Sequence, residues 1–188
     1  MKSFKLCIIY TISPLLVAFS ASLQAQQLTP QEARSLAKEA YLWRCPLVDD
    51  LRVFNNYFVD ETNIEFKGGV NVIGHNTRLF TPADTTIQSI NSDTLYSFVG
   101  IDVRDEPIVV SFPQIQEDRY YGFSIFDMWG HADMLGTITT GNDAANFVIA
   151  GPSWDGQTAE GVKEVVQMET TIGTSAVRIQ VECLCGLV

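Results

Sequence analysis

Between residues 95 and 181 the chain carries seven short runs rich in Val, Ile, Phe and Tyr, each bounded by turn residues. They fall at 95–102, 107–113, 120–127, 136–140, 147–150, 162–168 and 176–181. No stretch of helical period separates them. Parallel strands in one sheet need long crossover connections, usually helices, so this spacing argues against a parallel α/β sheet. It predicts an antiparallel β-sandwich instead.

Upstream the pattern is helical. Thr29-Pro30-Gln31-Glu32 is a capping box with proline at the first helical position, which predicts a helix starting at Pro30. Ala33, Leu36, Ala37, Ala40 and Tyr41 share one face, Pro46 interrupts, and Leu47, Leu51, Phe54 and Phe58 resume the stripe. Two helices or one kinked helix are expected over residues 26–60. Such a stripe is core packing rather than a cofactor box. Residues 61–90, with Gly68, Gly69, Gly74 and Pro82, read as a connecting loop with at most short strands, and residues 91–188 as the sandwich.

The first 25 residues read as an address. Lys2 and Lys5 precede an apolar run over residues 6–19, and Leu23-Gln24-Ala25 ends in a residue that a signal peptidase accepts. The run is short for a membrane span and contains Pro14. Cleavage after Ala25 and export to a periplasm, cell envelope or medium are expected. The balance left behind is acidic. A formal charge of −10, more negative once Lys2 and Lys5 leave, repels phosphate backbones and excludes nucleic acid as a partner.

Export makes the cysteines informative. Cys7 leaves with the signal, and Cys45, Cys183 and Cys185 are an odd number for an oxidising compartment. Cys45 pairing with one of the last two is open. The apolar ending from Cys183 to Val188 reads either as a truncated C-terminus or as a final strand docking into the sheet.

The densest polar stretch is Asn91-Ser92-Asp93-Thr94-Leu95-Tyr96-Ser97, at a strand entrance. Asp93 there either accepts from turn amides and Thr94, as in an Asx-turn, or acts as a base or ligand beside Tyr96, with Arg119 from a neighbouring strand holding an anionic substrate and His75 joining them. Asn91, Thr94, Tyr120, Asp127 and Trp154 are candidate binding residues, Trp154 as a platform for a sugar. For a metal, His131 and Asp133 are the candidate ligands, with Asp127 four residues from His131. A non-heme iron triad needs a second histidine, and His75 is the only other, in the opposite chain order. There is no Gly-x-Ser-x-Gly elbow and no phosphate-cradling glycine loop. No cofactor is expected.

An ordered set of residues carries a family resemblance. Asn71, His75, Leu79 and Pro82, the Asn91-to-Ser97 stretch, Asp102, Pro107, Pro113, Arg119-Tyr120-Tyr121, Asp127, Gly136, Thr139-Thr140-Gly141 and Gly151-Pro152-Ser153-Trp154-Asp155-Gly156 resemble the family called domain of unknown function 1254. The resemblance runs over about residues 41–178. It implies a fold of class α+β, mainly β: an N-terminal helical segment followed by an immunoglobulin-like antiparallel β-sandwich. It also implies a second domain, of unknown function 1214, missing here. This chain departs from the pattern at Ser92, where a second Asn is usual, at Ile138, where an Arg is usual, and at His131, where an Asn is expected.

The functional expectation is an exported cell-envelope protein acting as a non-catalytic binding or structural module. Its expected partner is its own second domain, a second copy or a saccharide. The alternative is a hydrolase-like or metal-assisted enzyme with a pocket around Asp93, Tyr96 and Arg119. Export predicts a mature chain beginning at Gln26, which the intact mass of protein from the exported fraction checks.

Overall fold

The capping box forms as the sequence predicts. The Glu32 carboxylate accepts from the Thr29 amide at 2.8 Å and the Thr29 hydroxyl accepts from the Glu32 amide at 3.2 Å, satisfying two donors at the start of helix α1, Pro30–Phe54. The structure is a computed structural model and describes residues 28–87 and 89–181. The segment expected to be a signal, with Cys7 and the expected cleavage position after Ala25, and the terminal Cys183 and Cys185, lie outside the described residues. Two compact units divide the chain, residues 1–43 and 44–188.

Of the two arrangements expected at Pro46, two helices or one kinked helix, the chain takes a single helix, and α1 runs through the proline. Its missing N–H and ring clash cost roughly 3 kcal/mol in an interior turn. What holds the second half of α1 lies just beyond. A π-helical turn, Asn55–Val59, closed by the Asp60 amide on the Asn55 carbonyl at 2.8 Å, buries Tyr57 and Phe58. Among the described residues, no helix is long and apolar enough to cross a membrane.

Among the described residues eight strands follow: β1 (Gly74–His75), β2 (Thr94–Asp102), β3 (Ile108–Phe112), β4 (Tyr121–Asp127), β5 (Ala132–Gly136), β6 (Ala145–Ala150), β7 (Val162–Gln167) and β8 (Ile172–Gln180). A five-stranded sheet has the order β1-β2-β8-β4-β5 and a three-stranded sheet the order β3-β6-β7. Pairing is antiparallel except between β6 and β7, which are parallel. That corrects a purely antiparallel expectation. The connection from Gly151 to Gly161 is no hairpin; it carries the chain back so that β7 enters in the direction of β6.

The run 136–140 was expected to be a strand, and it is a turn. The Gly136 carbonyl accepts from the amides of Thr139, Thr140 and Gly141, while the Thr140 hydroxyl accepts from the Gly136 amide. Local hydrogen bonding by threonine and glycine overrides the β propensity of Ile138, which is left exposed. The strand itself lies earlier, at β5.

Two cores use the two faces of the large sheet. Ile101, Phe123, Ile125 and Leu135 pack with Phe147, Ile149 and Val166 of the small sheet. On the other face, Tyr96 and Phe98 pack with Phe54, Tyr57, Phe58 and Phe80. Alternation along β2 sends Tyr96, Phe98 and Gly100 one way and Val99 and Ile101 the other. Ring geometry in the aromatic core is mostly edge-to-face, as between Tyr57 and Phe98 at 5.5 Å, with Tyr96 stacked on Phe98 at 5.6 Å. Asn71, at φ 58°, accepts from the Asp102 amide and donates to its carbonyl, both at 2.9 Å, pinning the loop to the end of β2.

Gly100 lets the π-helical turn seat. A Cβ there would stand 2.4 Å from the Phe58 ring, which is fixed on both sides by packing. Gly100→Ala is expected to destabilise the fold by about 1–3 kcal/mol, the usual cost of overpacking, as read by urea unfolding of the purified chain.

Candidate functional site

The polar stretch before β2 is organised by Asn91, not Asp93. The Asn91 side-chain carbonyl accepts from the Thr94 hydroxyl at 2.8 Å, the Thr94 amide at 3.2 Å and the Asp93 amide at 3.4 Å. This is an Asx-type turn built one partner earlier than expected. Asp93 itself is exposed. Tyr96 is buried in the aromatic core, its hydroxyl accepting from the Asn91 amide at 3.4 Å.

The other members of the predicted pocket are elsewhere. His75 pairs with Ser97, their side chains joined at 2.7 Å, so His75 faces opposite to Tyr96 across the sheet. Arg119 stands in the turn before β4 rather than on a strand, and β8 lies between β4 and β2. His75 and Tyr96 therefore do not face one pocket. Tyr120 is half-buried, its amide donating to the Gln180 side chain at 3.0 Å. Trp154 lies in the connection after β6, its ring against Gly156 and its carbonyl accepting from Gln167 at 2.9 Å.

A cleft that the sequence did not announce opens on the aromatic face of the large sheet. It has a volume of about 260 Å³, with apolar walls from Val53, Ile87, Phe98 and Phe126 and the carboxylates of Asp49 and Asp50. Asp49 is held by Arg52 at 2.8 Å. The Asp50 carboxyl is pushed above its ordinary range, first by burial, then by the charges of Asp49 and Asp127. Tyr57, also in the wall, has its hydroxyl pushed up to about 12, chiefly by burial. The cleft thus offers aromatic faces beside a carboxylate held in an unfavourable setting, an arrangement suited to an organic cation.

At the β4–β5 hairpin the candidate metal residues do converge. Asp127 is 3% exposed; one carboxylate oxygen accepts from the amides of Trp129 at 2.9 Å and His131 at 3.0 Å, organising the turn. Its other oxygen meets His131 Nδ1 at 3.1 Å. Glu169, from the turn between β7 and β8, brings an oxygen to 3.6 Å from the same nitrogen. Asp133 lines the same small cleft. Nearby, the Arg44 guanidinium lies 4.7 Å from the centroid of the Trp129 ring.

Asp49, Asp50 and Glu169 were not singled out from sequence. An acidic pair inside an apolar helical stripe is a legible irregularity. Glu169 carries no such signal; only strand register brings it to His131.

These features define a mainly β protein with one N-terminal helix and mixed sheets. The chain belongs to the family described as "Protein of unknown function (DUF1254)", which matches residues 70–183. Its fold is similar to the crystal structure of the VPA0106 protein from Vibrio parahaemolyticus, with a TM-score of 0.64 and 24% identity over 79% of this chain and 33% of that one. The chain spans about a third of the length of that relative, and at this identity the likeness shows the fold alone. No curated protein matches.

A carboxyl whose folded pKa is raised binds its proton more tightly in the folded state, so its contribution to stability is present in acid and is lost as pH rises through the raised value. Asp50 is such a group. Asp50→Asn is expected to raise stability near neutral pH, with the gain shrinking towards about pH 4, as read by urea midpoints across that range.

Proposed function

We propose that the chain is a non-catalytic binding module of an exported cell-envelope protein, built as an immunoglobulin-like β-sandwich, whose ligand is a compact organic cation with an apolar body. The observation that carries this reading is the cleft lined by Phe98, Phe126 and Asp50, where aromatic faces and a desolvated carboxylate meet. Cation–aromatic attraction and the release of Asp50 from its strained charge both favour a bound cation. One catalytic candidate and one binding candidate serve structure in this fold: Tyr96 packs in the aromatic core and Asn91 caps a turn. The second domain implied by the family resemblance is the proposed partner of the module. Exposed apolar residues near the end of α1, Val48 and Leu51, support a partner surface.

Titration calorimetry with phenyltrimethylammonium as the probe tests the ligand class. The wild-type chain is expected to bind it, Asp50→Asn about tenfold more weakly, and Ala176→Phe, which fills the cleft, not at all. Equal binding by the wild type and Asp50→Asn, or no heat from the wild type, overturns the reading.

A further inference from the structure

Where the turn between β7 and β8 meets the β4–β5 hairpin, Asp127, His131 and Glu169 present one donor atom each, all within 4.8 Å of one another. We propose that these three residues bind a divalent transition-metal cation of the zinc class. Ligand atoms about 2.0–2.2 Å from a shared cation stand roughly 3.0–3.6 Å apart in tetrahedral or octahedral arrangement. The distances of 3.1 and 3.6 Å from His131 Nδ1 to the two carboxylates match that spacing.

Three further features support a ligand. The first is orientation. One oxygen of Asp127 is held by two backbone amides, so the other is aimed at His131 without freedom to turn away; fixed carboxylates of this kind are how outer hydrogen bonds prepare a metal ligand. The second is space. The donors line a cleft of about 110 Å³ that Asp133 also lines, which leaves room for an ion and water. The third is charge. The lining holds the carboxylates of Asp127, Asp133 and Glu169 and the imidazole of His131, with no Lys or Arg. Three carboxylates in one small lining repel one another. A dication removes that repulsion and draws the Asp127 and Glu169 carboxylates to one centre. A mixed imidazole and carboxylate set favours zinc over calcium or magnesium, which prefer oxygen alone.

The site lies apart from the residues proposed to hold the organic cation, and its test is separate. The full chain is stripped with chelator, and Zn²⁺ is titrated by calorimetry, with thermal melts run alongside. Expected are one Zn²⁺ per chain and a higher melting temperature on binding. His131→Ala and Glu169→Gln are each expected to weaken binding at least about tenfold. Glu169 is 68% exposed and its charge adds to the repulsion in the empty site, so Glu169→Gln does not lower the melting temperature of the metal-free chain and separates lost ligation from lost folding. Wild-type binding weaker than about 1 mM overturns the proposal. So does tight binding that both variants retain, which would place the metal elsewhere, as on Cys45 or His75.

Discussion

Strand β8 is inserted between β2 and β4, and both cores depend on it. It pairs with β2 over nine positions, from Thr94 with Gln180 to Asp102 with Ile172, and with β4 over seven more on its other edge. Until it docks, β2 and β4 do not share a sheet. The face that receives Phe147 and Ile149, and the opposite face that receives Tyr57 and Phe58, are then incomplete. The strand that completes the sheet lies far in sequence from β2. Closing it costs loop entropy before any apolar burial compensates, which makes this a topology of non-local contacts.

The same insertion decides where chemistry gathers. β8 separates the start of β2 from the start of β4, and His75 and Tyr96, which looked like members of one pocket, face apart. At the other end of the sheet, the turn into β8 carries Glu169 to the β4–β5 hairpin, where Asp127 is already buried and oriented. On the aromatic face, the end of α1 lays Asp49 and Asp50 beside Phe98 and Phe126. The two acidic clusters feel each other, since the Asp127 charge contributes to the raised Asp50 carboxyl.

Local signals were legible wherever the deciding interaction is local. The Thr29 and Glu32 capping box is a matter of four residues, and it forms. Alternating apolar runs announced most of the strands, because period-two burial is written along one strand at a time. Gly136 to Thr140 misled because Ile138 and its threonines have strand propensity while their hydrogen bonds favour a turn. Pro46 left two helices or one kinked helix open from sequence, and a single helix forms, its local cost outweighed by aromatic burial at Tyr57 and Phe58. His131 and Asp133 were visible as neighbours; their approach by Glu169 was not.

The sequence by itself determined the helix start, the mainly β character and the acidic surface, and its ordered residues pointed to the DUF1254 family before any contact was known. Those properties are sums over neighbouring residues: propensity, period and charge. Only the tertiary structure decided that His75 and Tyr96 face apart, and that Asp127, His131 and Glu169 come together. Each of these depends on strand register and on which face a side chain takes. A shift of one residue reverses every face, and pairing between distant segments sets it.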